Sequence, residues 1–316
     1  MASPLVSVCI PCHNAAPYVG QAIESVLSQS WPKIEIIVVD DGSTDGSIRV
    51  CKRYESATLR VIPAAFGSAS RSRNRALSEA QGELMKFLDA DDLLSPRTIE
   101  AQVRRLGERS DAVATSRWGR FYGEDLSTFQ LSSQSVWRDM KATDWLVEAW
   151  YDAQPMMQPG MFLIPRAMLN QAGGWDETLS LIDDFEFFAR LLCHASEVLF
   201  VPEATLYYRS GLPGSLSGGN GRRAWESALH SLLRGTGHLL QRRNDPQARL
   251  SCANVLQNFV YAVYPDYPDL RDLMQRRIAE LGGSDLTMPA GPRLQAVQRL
   301  VGWKAAKRLQ KLAGRA

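Results

Sequence analysis

Two clusters of aspartates in this sequence have the residue types and the spacing to hold a cation. In the first, Asp89, Asp91 and Asp92 directly follow the apolar run at residues 84–88. Crowded carboxylates are costly to ionise together unless a positive charge shares their site. Hard oxygen ligands in a partly hydrated pocket suit Mg²⁺ or Mn²⁺ better than Zn²⁺. A divalent ion with open positions at this turn would in turn hold a diphosphate.

Helix capping is the alternative for part of this cluster. Asp92 and Ser95 precede Pro96, and a helix that begins at Pro96 would use such side chains as caps. Capping does not account for Asp89 and Asp91 together.

The second cluster is Asp40 and Asp41, which follow the apolar run at residues 34–39. Turn chemistry and a helix cap explain the neighbouring polar residues, which are Ser43, Thr44 and Asp45. The aspartate pair therefore needs another partner.

The elements that carry these clusters alternate along the chain. Strands are predicted at 5–10, 34–39, 59–63, 84–88 and 111–115, and helices at 17–30, 45–56, 70–81 and 96–107. Apolar runs without polar alternation suit strands that are covered on both faces, and βα alternation gives a mostly parallel sheet between helices. Ligands of such sheets bind at the carboxyl edge of the strands, where both aspartate clusters fall.

Three stretches resemble the successive motifs of family 2 glycosyltransferases. They read VSVCIPCHNAAPYVGQAIESVLSQSWPKIEIIVVDDGSTDGS, then SRSRNRALSEAQGELMKFLDADD, then GGWDETLSLIDDFEFFAR. The resemblance covers roughly residues 5 to 215. It implies a GT-A fold, which is a Rossmann-like, mostly parallel α/β sheet flanked by helices. It also implies a nucleotide-sugar donor and an inverting transfer to an acceptor hydroxyl.

The resemblance also implies a donor site. Asp41 would accept a hydrogen bond from the ring imide of uracil or a similar base, and Arg73 would lie near the nucleotide. The alternative for Arg73 is a solvated charge at a helix start, beside Arg71 and Arg75. Asp91 becomes the direct ligand of Mn²⁺ or Mg²⁺, with Asp89 beside it. The donor-binding residues implied are Pro11, Asn14, Asp41, Arg73, Asp89, Ala90 and Arg209.

Asp184 is the residue that the resemblance implies as general base. An inverting transfer needs one carboxylate near the acceptor hydroxyl, on the face opposite the leaving diphosphate. The alternative is that Asp183 and Asp184 are helix-start carboxylates, stabilised by the positive end of the helix dipole. Family members usually have Glu before this Asp, so the role of Asp183 is open.

The chain departs from the family pattern at two places. His13 precedes Asn14 where Tyr is common, and Arg209 is followed by Ser210 where a histidine often helps to hold the metal. Fewer protein ligands for the ion are therefore expected. Arg209 and Ser215 are candidates for the diphosphate, on a Gly/Ser-rich loop at 210–221 that either closes over the donor or is a plain linker.

Two other classes of protein stay open at this point. Cys9 and Cys12 lie between a strand and a helix, the setting of a redox pair in a thiol-disulfide oxidoreductase. That interpretation leaves both aspartate clusters unexplained. The other alternative is a binding protein with a catalytically inactive GT-A domain.

We expect a GT-A catalytic domain at residues 1–215 and a helical C-terminal region at 222–316. Five cysteines, an odd number, suit a reducing compartment, and neither a spanning helix nor a signal peptide is recognised. These features predict a cytoplasmic protein.

Residues 293–315 form a predicted basic, amphipathic tail. Between 287 and 316 there is no Asp or Glu, and the basic residues are Arg293, Arg299, Lys304, Lys307, Arg308, Lys311 and Arg315. An apolar stripe runs through Leu294, Val297, Val301, Ala305, Leu309 and Leu312. Such a helix lies either on an anionic membrane surface or against the catalytic domain. Nucleic acid is not expected as a partner, because interleaved basic and aromatic patches are missing elsewhere.

These features together predict a metal-dependent inverting glycosyltransferase. We expect it to move sugar from a UDP-sugar to a saccharide or lipid-linked acceptor in cell-surface polysaccharide assembly.

Overall fold

The structure, a computed structural model, describes residues 3–212, 221–289, 298 and 300–308. Its strands are β1 (Val6–Cys12), β2 (Ile34–Asp41), β3 (Leu59–Ala64), β4 (Leu84–Phe87), β5 (Leu93–Leu94), β6 (Ala112–Tyr122), β7 (Asp125–Leu131), β8 (Met140–Lys141), β9 (Phe162–Pro165) and β10 (Glu197–Ser210). Its helices are α1 (Val19–Leu27), α2 (Ser47–Lys52), α3 (Ala69–Glu79), α4 (Thr98–Leu106), α5 (Ala142–Tyr151), α6 (Arg166–Ala172), α7 (Asp183–Leu192), α8 (Arg222–Arg242), α9 (Pro246–Val263) and α10 (Pro268–Glu280).

The strands form one mixed sheet in the order β3-β2-β1-β4-β9-β6-β10-β5, with β7 beside β6 and β8 beside β10. The half made of β3, β2, β1 and β4 is parallel, and β9 runs antiparallel to both β4 and β6. Every residue of β1 is buried, as an apolar run covered on both faces requires. The predicted mostly parallel α/β sheet between helices is confirmed.

The register of the parallel strands brings the two aspartate clusters to one edge. Cys12 at the end of β1 pairs with Asp40 in β2, and Cys9 pairs with Phe87, the last residue of β4. Because parallel strands point the same way, the ends of β1, β2 and β4 face one side of the molecule. The two aspartate clusters therefore lie at the carboxyl edge of the sheet.

The capping role considered for Asp92 and Ser95 is wrong. Helix α4 begins at Thr98 rather than at Pro96, and Arg97 at its N-cap makes no side-chain capping bond. Ser95 instead contacts the Thr98 hydroxyl at 2.8 Å. Asp92 is fully buried, and its carboxylate accepts hydrogen bonds from Gln158 and from the backbone of Arg209.

The C-terminal helices pack directly on the rest of the chain. Helix α8 lies against α7, where a side chain at Gly235 would meet the Phe185 ring at 2.5 Å. One hydrophobic core includes Val6 of β1 and Ile278 of α10. The division into domains at 215 and 222 stays a prediction, and the core runs across it.

Part of the predicted tail lies inside the described residues. Residues 300–308 are helical, and Trp303 packs edge-on against Tyr261 and Tyr264, with ring centroids at 4.8 and 5.0 Å. Leu300 is 84% exposed and Val301 is 53% exposed. Ser215 and most of the 210–221 loop lie outside the described residues. Among the helices that the structure describes, none is long and apolar enough to cross a membrane.

Candidate active site

Gln158 holds the acidic turn that follows β4. Its side-chain Nε2 donates to Asp89 Oδ2 at 2.8 Å and to Asp92 Oδ2 at 2.6 Å. Its own Oε1 accepts a hydrogen bond from Gly160 N at 2.7 Å, and the residue is 4% exposed. A buried amide with both ends bonded sets the positions of two of the three carboxylates.

Arg209, near the end of β10, braces the same turn from the other side. Its backbone N donates to Asp92 Oδ1 at 2.9 Å, and its Nε donates to the carbonyl of Asp91 at 2.7 Å. The guanidinium is buried over the rings of Tyr18 and Phe121. Burial lowers the pKa of Arg209. Arg209 therefore positions the acidic turn in the structure, and direct contact with the donor diphosphate stays a prediction.

Asp91 is the carboxylate of this turn that most needs a cation. Burial and the charge of Asp89 raise the pKa of Asp91 to about 6. Among the described residues, only the backbone N–H of Asp91 itself donates a hydrogen bond to this carboxylate. Asp92 is more deeply buried, and burial raises its pKa well above its ordinary value. A cation at this turn would favour ionised Asp91, because an opposite charge stabilises a carboxylate.

Asp89 and Asp91 fit Mn²⁺ or Mg²⁺ as an incomplete ligand set. Within the described ranges, no three His, Cys, Asp or Glu side chains converge as a metal site. Two carboxylate oxygens would leave most positions of the ion to water and diphosphate oxygens, as Mg²⁺ sites commonly do. Bound there, the ion would supply charge stabilisation for the leaving diphosphate.

Arg73 joins the acidic turn to the start of α7. It is 5% exposed, and its Nη2 donates to Asp89 Oδ1 at 2.8 Å while its Nη1 donates to Asp183 Oδ2 at 2.9 Å. Burial disfavours the charged guanidinium, but the carboxylates of Asp183 and Asp89 outweigh burial and raise the pKa of Arg73. The interpretation of Arg73 as a solvated helix-start charge is therefore wrong.

Trp175 supports Arg73 and is itself held by the neighbouring residue Asn74. The Arg73 guanidinium lies 4.3 Å from the Trp175 ring centroid, and the Phe187 ring stacks on Trp175 at 4.0 Å. Asn74 accepts from Trp175 N at 2.8 Å and donates to its carbonyl at 2.9 Å. Gly174 has no room for a side chain, because a Cβ there would lie 2.5 Å from Asn74 Oδ1.

Asp183 and Asp184 begin α7 and differ in their surroundings. Asp183 Oδ2 accepts hydrogen bonds from Arg73 and, at 2.6 Å, from the Ser70 hydroxyl. Asp184 is half-buried, and burial together with the charge of Asp183 raises its pKa to about 7. Its Oδ1 accepts from Phe185 N at 2.9 Å, so the helix-start contact exists. That contact does not explain the raised pKa, which suits a general base near neutral pH.

Asp41 is the last residue of β2, and its carboxylate orders the loop before α3. Oδ1 accepts from Gly67 N at 3.1 Å and from Phe66 N, and Oδ2 accepts from Ser68 N at 2.8 Å. Burial raises the pKa of Asp41, but these backbone bonds outweigh it and lower the pKa overall. Asp40 Oδ1 is buried, without a partner among the described residues. Base recognition by Asp41 stays a prediction, and its observed role is to fix this loop.

Asn14 lies at the same edge, with the left-handed φ of 48° that Asn tolerates. Its Oδ1 accepts from Thr44 N at 2.8 Å, so it links the loops that follow β1 and β2. His13, the departure from the family pattern, contacts the carbonyl of Asp41 at 2.7 Å. Pro11 and Ala90, the other expected donor residues, are buried at this edge.

The thiol-disulfide interpretation of Cys9 and Cys12 is wrong. Both residues lie within β1, three positions apart, so their Cα atoms are about 10 Å apart, beyond the reach of a disulfide. Burial raises the pKa of Cys9, and a hydrogen bond to Cys51 together with burial raises the pKa of Cys12. Helix α1 begins only at Val19 and is too far along the chain to activate either thiol.

Comparison with known proteins decides the family. The family model described as glycosyl transferase family 2 matches residues 7–173. The chain belongs to that family. Among curated relatives of this glycosyltransferase, GlyG of Streptococcus pneumoniae is 28% identical over 221 residues, covering 66% of this chain and 71% of GlyG. TuaG of Bacillus subtilis, named for teichuronic acid biosynthesis, is 41% identical over 114 residues, 35% of this chain and 45% of TuaG.

Solved structures confirm the fold of this glycosyltransferase. S. aureus TarS 1-349 in complex with UDP-GlcNAc superposes with a TM-score of 0.64 at 19% identity, covering 87% of this chain and 88% of that one. The mannosyltransferase PcManGT of Pyrobaculum calidifontis, in complex with GDP-Man and Mn²⁺, superposes with a TM-score of 0.55 at 17% identity. The superposition covers 99% of this chain and 88% of that one. At these identities the likeness establishes the GT-A-like fold alone.

Two residues of the site were not singled out in the sequence. Gln158 lies 66 positions from Asp92, and only its place just before a Pro-Gly step distinguishes it. Trp175 lies inside a recognised motif, but its contact with Arg73 depends on how α3 meets the 173–183 segment. Both contacts join distant parts of the chain, which local patterns do not reveal.

Proposed function

We propose that this glycosyltransferase transfers a sugar from a nucleotide-diphosphate donor to an acceptor hydroxyl, with inversion at the anomeric carbon. The observation that carries the proposal is the double ion pair of Arg73. It links Asp89, in the metal-binding turn, to Asp183, which precedes Asp184. A donor-side carboxylate and a carboxylate suited to proton abstraction therefore belong to one site at the carboxyl edge of the sheet.

The roles follow from the surroundings of each group. The Asp184 carboxylate takes the proton of the acceptor hydroxyl as the oxygen bonds to the anomeric carbon. The bond from that carbon to the diphosphate oxygen breaks, and the nucleoside diphosphate leaves with its negative charge. Asp89 and Asp91 would hold Mn²⁺ or Mg²⁺, which would offset that charge, while Arg73 keeps Asp89 and Asp183 in place. Pro11, Asn14 and Asp41 line the nucleotide end.

UDP-sugars are the proposed donors, and cell-surface saccharides or lipid-linked saccharides are the proposed acceptors. TarS, which shares the fold, was solved with UDP-GlcNAc, and TuaG is named for the synthesis of a surface polysaccharide. Asp41 at the end of β2 is the carboxylate proposed to accept a further hydrogen bond from the imide that uracil carries.

A panel of nucleotide sugars tests this proposal. UDP-, dTDP- and GDP-sugars are incubated with the protein in Mn²⁺, Mg²⁺ or excess chelator, and release of nucleoside diphosphate is measured. A UDP-sugar should be turned over only with metal, and Asp91→Asn should abolish turnover. Asp184→Asn should still bind the donor but not transfer the sugar, and the exposed Asp272→Asn is the matched control. Turnover by Asp91→Asn, or with chelator, would overturn the metal site. Donor binding without any turnover would support an inactive binding protein instead.

We also propose that the basic tail places the enzyme on the anionic cytoplasmic face of a membrane. Trp303 faces α9, while Leu300 and Val301 stay exposed beside Lys304. Each basic residue near an anionic surface contributes about 1 kcal/mol, which salt screens. Vesicles containing anionic lipid should therefore sediment the protein at low salt but not at high salt. Truncation after Pro292 should abolish sedimentation and spare donor hydrolysis, whereas unfolding of the truncated protein would contradict the proposal.

A further inference from the structure

The loop that leads into Asp183 and Asp184 is held by two serines of α8. The Ser227 hydroxyl oxygen accepts hydrogen bonds from Ser180 N at 2.7 Å and from Leu181 N at 3.1 Å. The Ser231 hydroxyl donates to the carbonyl of Ile182 at 2.6 Å. Three consecutive residues of the loop are thus tied to one helix immediately before the general base.

Ile182 shows why this loop needs to be held. Its φ of 52° and ψ of 37° lie in the left-handed region, which is unfavourable for a β-branched side chain. Such a conformation is strained and persists only when its surroundings enforce it. Besides Ser231, the amide of Phe185 bonds the Ile182 carbonyl at 3.1 Å. The backbone turns here into α7, so a relaxed Ile182 would redirect Asp184.

Helix α8 has little freedom to shift along this loop. Ser227, Ser231 and Gly235 follow one another at four-residue spacing and so lie on one face of the helix. At Gly235 the helix backbone approaches Phe185 so closely that a Cβ would lie 2.5 Å from its ring. The close approach at Gly235 therefore fixes the positions of the two serines relative to the loop.

The opposite side of the loop is tied to α3, which carries Arg73. The Ser70 hydroxyl lies 3.3 Å from the carbonyl of Leu179 and 2.6 Å from Asp183 Oδ2. Helix α3 lies within residues 7–173, which match the family, whereas α8 lies beyond them. The C-terminal helical region thus supplies one of the two helices that hold the loop before Asp183.

We infer that Ser227 and Ser231 are positioning residues for the transfer step. They keep Ile182 in its strained conformation and thereby aim Asp184 at the acceptor hydroxyl. The inference rests on the proposed role of Asp184 as general base. It assigns the C-terminal helices a part in catalysis, because the base is correctly oriented only when α8 is docked.

Ser227→Ala, Ser231→Ala and the double variant test this assignment in the full chain. We expect kcat for sugar transfer to fall by about 10- to 100-fold, since small misplacements of a reacting group have effects of that size. The dissociation constant of the donor should stay unchanged, because the donor carboxylates are held by Gln158 and Arg73. The control is Ser251→Ala in α9, another fully buried serine, whose hydroxyl has no partner among the described residues.

A second substitution separates positioning from general destabilisation. Asn adopts the left-handed region more readily than Ile, so Ile182→Asn should restore most of the kcat lost in Ser231→Ala. Equal loss of kcat in the Ser251→Ala control, or no rescue by Ile182→Asn, would overturn the inference. Normal transfer by both serine variants, with transfer lost in Asp184→Asn, would overturn the positioning role alone. Normal transfer by Asp184→Asn would instead overturn the proposed base and this inference with it.

Discussion

Removing the charge of Arg73 should destabilise the protein far more than removing any exposed arginine of α3. Arg73→Met leaves Asp89 and Asp183 without their shared cation, and the side chain that is lost is 5% exposed. Breaking a buried ion pair by removing one partner costs about 3–5 kcal/mol. At about 2–4 °C per kcal/mol, this corresponds to a fall in Tm of roughly 6–20 °C.

Arg75→Met on the same helix is the matched control. The Arg75 side chain is 46% exposed and pairs with Glu79 at 2.8 Å, four residues along the helix. Exposed pairs of this kind contribute less than about 1 kcal/mol. Its Tm should therefore fall by only a few degrees.

Thermal unfolding followed by circular dichroism measures both variants, together with Arg73→Met/Asp183→Asn. The second substitution removes one of the two uncompensated carboxylates and should recover part of the lost Tm. Because the Arg73 charge lowers the pKa of Asp184, the pH profile of sugar transfer by Arg73→Met should also shift upwards. Equal Tm values for Arg73→Met and Arg75→Met would refute the buried double ion pair.

Three further predictions concern Asp184, the acidic turn and the buried core. Sugar transfer should increase as the pH rises through about 7, because Asp184 accepts a proton only as the carboxylate, and a flat kcat profile from pH 5.5 to 8.5 would contradict its raised pKa. Gln158→Leu leaves Asp89 and Asp92 without their shared donor, so kcat should fall at least about tenfold and the thermal shift caused by Mn²⁺ should shrink. Burial lowers the pKa of Lys86 from 10.5 to about 7. Between those pH values the unfolded chain binds a proton that the folded chain lacks, so unfolding free energy should rise by roughly 2 kcal/mol from pH 7 to 9. Urea titrations of Lys86→Met should lack that rise.

Local sequence determined the parallel half of the sheet and the positions of the two aspartate clusters. Apolar runs without alternation predicted β2 and β4, and aspartates directly after them placed both clusters at the carboxyl edge of the sheet. These predictions succeed because strand burial and strand ends depend on neighbouring residues. Element ends were less accurate: β2 includes Asp40 and Asp41, and α4 starts at Thr98.

Only the tertiary structure decided what each charged side chain contacts. Arg73 has the sequence context of a surface arginine, yet the packing of α3 against the segment before α7 buries it between two carboxylates. The position of Arg209 on β10 brings its side chain to the backbone of the acidic turn, and its contact with the donor stays a prediction. Gln158 also contacts that turn, although it lies 66 residues after Asp92 in the chain. Such contacts join segments that are distant in the chain, and their energies depend on burial, which a local pattern does not specify. For the same reason the sequence does not distinguish the neighbours Asp183 and Asp184. In the structure Asp183 is bonded to Arg73, whereas Asp184 has a raised pKa that suits a general base.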